Sequence, residues 1–192
     1  MNWTISNQLT MGRVFLIPLF IAAFYLPDSL DYYLSALVFT TAALTDWLDG
    51  YLARSRNEVT AFGRFLDPVA DKLLVAAALV LLVAAGRAPA VLAIIIIGRE
   101  IAIGALREWL AERSSVVKVS LLGKLKTMIQ MIAIVALLIH NTIVGLDFHL
   151  IGTVLLWVAA ILTLWSGYEY IHNAWPELIQ KPAPEKSKDA TE

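Results

Sequence analysis

Six apolar stretches alternate with short polar or turn-forming segments along this chain of 192 residues. Each is close to the roughly 20 residues that a helix needs to cross a bilayer. They run from about Gln8 to Leu26, Tyr33 to Arg54, Phe65 to Ala85, Ala90 to Glu112, Lys124 to Asn141 and His149 to His172. The breaks fall at Pro27-Asp28, Arg56-Asn57-Glu58, Gly86-Arg87, Arg113-Ser114-Ser115 and Gly145-Leu146-Asp147, where proline, glycine and charge favour turns. The pattern predicts an all-α integral membrane bundle of six transmembrane helices occupying residues 1–180. The tail, residues 181–192, is polar, mixes both charges and is expected to be disordered. No internal repeat is present.

Composition sharpens this picture. Hydrophobic residues make up 59% of the chain, above the roughly 45–50% of a soluble domain. No Lys or Arg precedes the first apolar run and Arg13 lies within it, so that run reads as a retained helix rather than a cleaved signal. The net charge of −1 excludes a generally basic nucleic-acid binder. The absence of cysteine excludes thiolate catalysis and Cys-ligated zinc, so any metal here has oxygen ligands, which suits magnesium, manganese or calcium.

Charge also orients the bundle. With six helices, both termini and the second–third and fourth–fifth loops share one side. Arg54, Arg56, Arg64, Arg113, Lys118, Lys124, Lys126, Lys181, Lys186 and Lys188 lie on or near it, whereas the other side offers Arg87 beside Asp28, Asp31 and Asp147. The positive-inside bias places both termini at the cytoplasmic face.

That face carries the main chemistry. Asp46, Asp49, Asp67 and Asp71 sit in strongly apolar surroundings, where carboxylates are costly and mark functional sites. Positions 46, 49, 50, 53 and 54 fall on one helical face, which shows Asp46, Asp49, Gly50, Ala53 and Arg54. Gly63, Asp67 and Asp71 line up on the next helix, with Pro68 expected to start or kink it. Converging carboxylates repel and raise one another's pKa, and one or two divalent cations relieve this. Gly50, Ala53 and Gly63 leave room for a ligand near the backbone. Arg54 can hold a phosphate through a forked pair of hydrogen bonds. The plainer alternative is a set of interfacial carboxylates paired with Arg54, Arg56 and Arg64. Four in register with small residues between them favour the metal. An EF-hand fits poorly, since its ligand alternation and terminal glutamate are missing.

The pattern Asp46-x2-Asp49-Gly50-x2-Ala53-Arg54-x8-Gly63-x3-Asp67-x3-Asp71 resembles, without departure, the signature of the CDP-alcohol phosphatidyltransferases. The resemblance implies a six-helix membrane enzyme of the bacterial inner membrane, a homodimer, with two magnesium or manganese ions. It implies that Asp46, Asp49, Asp67 and Asp71 bind the metals, and that Asp71 is also the catalytic base. Gly50, Ala53, Arg54 and Gly63 would line the CDP site. Asn7-Gln8-Leu9-Thr10-Met11-Gly12-Arg13 with Pro18 is similar to the branch that makes phosphatidylglycerophosphate. So are Gly98-Arg99-Glu100-Ile101, Leu106-Arg107-Glu108-Trp109 and Gly123-Lys124-Leu125-Lys126-Thr127 with Gln130. This implies CDP-diacylglycerol as donor and sn-glycerol 3-phosphate as acceptor.

A dianionic acceptor calls for cations, and Arg99, Arg107, Lys124 and Lys126 are the candidates for its phosphate. Thr10 and Arg13 either face the site from the first helix or, for Arg13, snorkel to the interface. Lys72 points about 100° from Asp71 on a helix and is expected to pair elsewhere. His140, His149 and His172 are expected at helix ends, and the tryptophans in a belt or the core. Serine, inositol phosphate or phosphatidylglycerol are alternative acceptors. A prenyltransferase spaces its aspartates differently. A cation transporter needs acids near the midplane, not at one face.

Overall fold

The computed structural model describes residues 5–27, 30–56, 61–112, 121–143 and 145–179; the side chains at 5–10, 30, 46–56, 61–65, 67, 112, 121, 122 and 124 stand outside that description. The described chain forms α1 (Ile5–Phe24), α2 (Leu30–Arg56), α3 (Ala61–Ala84), α4 (Ala90–Glu112), α5 (Leu121–Ile139) and α6 (Phe148–Ile179). Between α5 and α6, β1 (Thr142–Ile143) pairs antiparallel with β2 (Leu146–Asp147), Thr142 opposite Asp147 and Ile143 opposite Leu146. This minimal ribbon corrects the expected plain turn. Gly145, at φ 77°, supplies the left-handed backbone that a tight hairpin turn requires. The tail 181–192 lies outside the described residues.

Pro68, expected to start or kink the third helix, does not start it, and α6 runs past the expected end at His172. Pro68 lies inside α3 and Pro176 inside α6. A proline deletes one backbone donor, but packing holds α6 beyond His172. Tyr170 and Ala174 bury against Ile103 and Leu110 of α4. Continuing the helix therefore keeps apolar area covered.

The core lies between the helices. Phe20 and Phe39 have ring centroids 5.8 Å apart, and Leu79, Leu82, Leu92, Ile96, Ile134 and Leu137 are fully buried around them. Close packing of α5 on α6 depends on Gly152, where a Cβ would lie 2.7 Å from the Leu137 side chain and 3.0 Å from its backbone nitrogen. Many large apolar side chains face outward, including Phe15, Leu37, Ile94, Ile101, Trp157, Ile161 and Trp165. Among the described residues, α6 is the helix long and apolar enough to cross a membrane.

Neighbouring helices alternate in direction, as contacts at the two ends show. After α3 the Arg87 amide bonds to the Leu82 carbonyl at 2.8 Å and the Gly86 amide to that of Val83 at 3.0 Å. Gly86, at φ 70°, closes this Schellman cap. The turn presents Arg87 to Asp31 at the start of α2, at 3.0 Å. The same guanidinium lies 5.2 Å from the Phe24 ring centroid and 4.6 Å from that of Tyr32. His140 meets His149 edge-on with centroids 4.8 Å apart. Phe24 ends α1 and His149 opens α6, so the N-terminus of α1 and the C-terminus of α6 lie at the opposite end of the bundle.

Arg87 and Asp31 are each only 12% exposed. Arg87→Met strands the Asp31 carboxylate and is expected to cost about 2–3 kcal/mol. Thermal unfolding in detergent checks this, with substrate kinetics of the folded variant unaltered.

Candidate active site

The end of the bundle remote from Arg87 gathers the C-terminal part of α2, the N-terminal part of α3, the C-terminal half of α4 and the N-terminal half of α5. Asp46, Asp49, Gly50, Ala53 and Arg54 are on α2, and Gly63, Asp67 and Asp71 on α3. Both segments are continuous α-helix, so the spacings of three and four stand in the register that brings them to one face. The side chains of Asp46, Asp49, Ala53, Arg54 and Asp67, like Gly50 and Gly63, lie outside the description, as do those of Thr10 and Lys124.

Asp71 is described. It is partly buried and lines a cleft of about 170 Å³ with Lys72, Glu100, Thr127 and Gln130. Ile97, Ile101 and Met131 supply apolar wall. A mostly apolar cleft with a few convergent polar groups is the usual form of a small-ligand site. Lys72 reaches α4, its ammonium lying against the backbone at Gly104, where a Cβ would collide with it. Lys72 thus lines the same cleft as Asp71, which the helical angle alone did not suggest.

Glu100 organises the cations. The Lys126 ammonium donates to Glu100 Oε1, and Arg99 Nη1 is 3.5 Å from the same oxygen. Arg99 Nη2 donates to Ser166 Oγ on α6 at 3.0 Å, and Ser166 in turn donates to the Thr163 carbonyl at 3.2 Å. Lys126 is 4% exposed. Two cations and one carboxylate leave one positive charge in apolar surroundings, an arrangement that favours an anionic ligand. Arg99 Nε is buried without a hydrogen-bond partner among the described residues. Arg107, two turns further along α4, is exposed and lies 5.8 Å from the Tyr170 ring centroid. Arg13 is fully buried within the bundle, so it does not snorkel.

Removing one member of a buried pair costs more than the pair contributes, because a charge is left behind. Glu100→Leu is therefore expected to lower unfolding stability by about 3 kcal/mol. Glu100→Gln, which keeps an acceptor oxygen for Lys126, loses less. Chemical unfolding in detergent compares the two.

Among the described side chains, no three His, Asp or Glu converge as a metal cluster. The expected donor set of Asp46, Asp49, Asp67 and Asp71 is all oxygen, and so fits magnesium or manganese. Sequence reasoning quoted Glu100, Thr127 and Gln130 only within recognised segments, without a role for any of them, and did not single out Ser166. One signal was present: Gly123, Lys126, Thr127 and Gln130 follow offsets of zero, three, four and seven, a polar stripe on an apolar helix.

A family model described as CDP-alcohol phosphatidyltransferase matches residues 3–165. A protein of Yersinia pestis (strain Pestoides F) is 46% identical over 187 residues, covering 94% of this chain and 100% of its own length. A protein of Shigella flexneri is 46% identical over 185 residues, with the same two coverages. Both relatives bear the name CDP-diacylglycerol–glycerol-3-phosphate 3-phosphatidyltransferase.

Proposed function

The chain belongs to the CDP-alcohol phosphatidyltransferase family, and from that premise we propose that it transfers the phosphatidyl group of CDP-diacylglycerol to sn-glycerol 3-phosphate. The products are phosphatidylglycerophosphate and CMP. The observation that carries the acceptor is the net-positive cluster of Arg99, Glu100 and Lys126 beside the cleft of Asp71. It offers a place for a phosphate next to a place for a hydroxyl.

In this reading the cytidine diphosphate lies between α2 and α3, against Gly50, Ala53, Arg54 and Gly63. Asp46, Asp49, Asp67 and Asp71 hold magnesium or manganese, two ions, which when bound neutralise the pyrophosphate and ease departure of CMP. Arg99, Arg107, Lys124 and Lys126 hold the acceptor phosphate, with Thr10 and Arg13 contributing from α1. Asp71 takes the proton of the acceptor's primary hydroxyl. That oxygen bonds to the phosphorus bearing diacylglycerol, and the bond from this phosphorus to the CMP oxygen breaks. A carboxylate with an ordinary pKa near 3.9 is a weak base, so placement beside the attacking oxygen supplies much of the effect.

The six helices span the inner membrane, with both termini and the site facing the cytoplasm. The outward apolar side chains and the Lys/Arg asymmetry support this. The enzyme acts as a homodimer.

Charge removal at Arg107 or Lys124 is expected to raise the KM for glycerol 3-phosphate about tenfold, the loss of one charge-assisted contact, and the donor KM far less. Equal effects on both would contradict the phosphate pocket. The acceptor itself is tested by CMP release in detergent with CDP-diacylglycerol and, in turn, glycerol 3-phosphate, serine, inositol phosphate and phosphatidylglycerol. Release with glycerol 3-phosphate alone is expected. Release with another acceptor instead would keep the family chemistry and overturn the acceptor.

A further inference from the structure

We propose that Gln130 reads the secondary hydroxyl of the acceptor, and so selects a vicinal polyol phosphate over a simple hydroxyalkyl phosphate. The proposal rests on the transferase reading above and assigns a role to a residue outside the metal and phosphate sets.

The stripe Gly123, Lys126, Thr127 and Gln130 runs along one face of α5. Its other members are engaged: Lys126 with Glu100, and Thr127 Oγ1 donating to the Gly123 carbonyl at 3.1 Å. Gln130 differs. It is 3% exposed, and its Oε1 is buried with no hydrogen-bond partner among the described residues. Leaving a buried carbonyl oxygen without a donor is unfavourable, and such atoms in folded proteins call for an explanation. Gln130 lines the cleft of Asp71 and Glu100, so a ligand in that cleft can supply the donor. An amide oxygen only accepts, so the missing group carries a hydrogen.

The acceptor carries three polar groups, and this end of the bundle offers a partner for each. The attacking hydroxyl of sn-glycerol 3-phosphate is on C1, its phosphate on C3, and the remaining hydroxyl on C2 between them. Asp71 lines the cleft from α3 and Gln130 from α5, and Lys126, one helical turn before Gln130, pairs with Glu100, which lines the same cleft. With C1 at Asp71 and the phosphate toward Arg99 and Lys126, the C2 hydroxyl donates to Gln130 Oε1. The cleft, at about 170 Å³, is well below the roughly 300–1,000 Å³ of drug-sized ligand sites, which suits a three-carbon phosphate. Its apolar walls of Ile97, Ile101 and Met131 leave few competing donors.

The test compares glycerol 3-phosphate with 3-hydroxypropyl phosphate, which lacks only the C2 hydroxyl, as acceptors in CMP release. The wild-type protein is expected to favour glycerol 3-phosphate in kcat/KM by about 10- to 100-fold, the effect of one buried hydrogen bond. Gln130→Met, close in volume and only a weak acceptor, is expected to shrink that preference to less than about threefold. A structural role would lower both acceptors equally and keep the ratio, which would overturn the proposal. Should Gln130→Met fail to fold, the wild-type ratio still decides: a value near one overturns the role of Gln130 while leaving the transferase reading intact. No CMP with either acceptor would remove both.

Discussion

Asp71→Asn is expected to lower CMP formation by roughly 10²–10⁴-fold, the usual contribution of a positioned general base. The substitution keeps the size of the side chain and removes its ability to accept a proton. Asp71 is the described member of the aspartate set, and it faces the cleft shared by Glu100, Thr127 and Gln130. It is also assigned to the metals, so loss of turnover alone does not identify the base. Metal titration of the variant separates the two roles. Intact metal affinity with collapsed kcat fits a base whose work is proton removal. Near-normal kcat with intact metal affinity would contradict the assignment. Asp46→Asn is the contrasting variant: its loss is expected to be relieved in part by raised metal concentration, because Asp46 carries no proton-transfer role.

Removal of divalent metal is expected to abolish turnover, and magnesium or manganese to restore it. The stabilisation that a metal gives a departing phosphate amounts to several kcal/mol, which corresponds to a loss of roughly 10³-fold or more. The oxygen-only donor set of Asp46, Asp49, Asp67 and Asp71 explains the choice of ions. Calcium takes more ligands at longer distances and is expected to restore little. The effect is expected to be reversible, with the bundle keeping its fold without the ions. Phe20, Phe39, Leu79, Leu92 and Leu137 pack a continuous core away from the aspartates. Unfolding measured with and without chelator checks this. Turnover that persists in metal-free protein would contradict the metal assignment of all four aspartates.

Much of this architecture is written in local pattern. The apolar run from Ala90 to Glu112 coincides with α4 as observed, because Gly86, Arg87 and Pro89 end one helix and Ala90 starts the next without ambiguity. The aspartate register was legible for the same reason: spacings of three and four are properties of a single helix. What escaped the sequence depends on contacts between helices. The continuation of α6 through Pro176 follows from Ala174 packing on Leu110, sixty-four residues away in the chain. Glu100 was part of a recognised segment, yet its pairing with Lys126 requires α4 and α5 to meet. Lys72 was expected by its angle to Asp71 to pair elsewhere; its ammonium lies against Gly104 of α4, and the residue also lines the cleft of Asp71. Arg13 was open between facing the site and snorkelling, and its full burial within the bundle excludes snorkelling.

The central claim is group transfer to a water-soluble phosphate acceptor. Its most direct test follows radiolabelled glycerol 3-phosphate from water into lipid, with purified protein, CDP-diacylglycerol and magnesium. The account predicts label in the lipid phase in equal amount to CMP released, and both products lowered together, by roughly 10²–10⁴-fold, in Asp71→Asn. CMP released without labelled lipid would make the protein a hydrolase and contradict the account. So would labelled lipid formed in the absence of CDP-diacylglycerol.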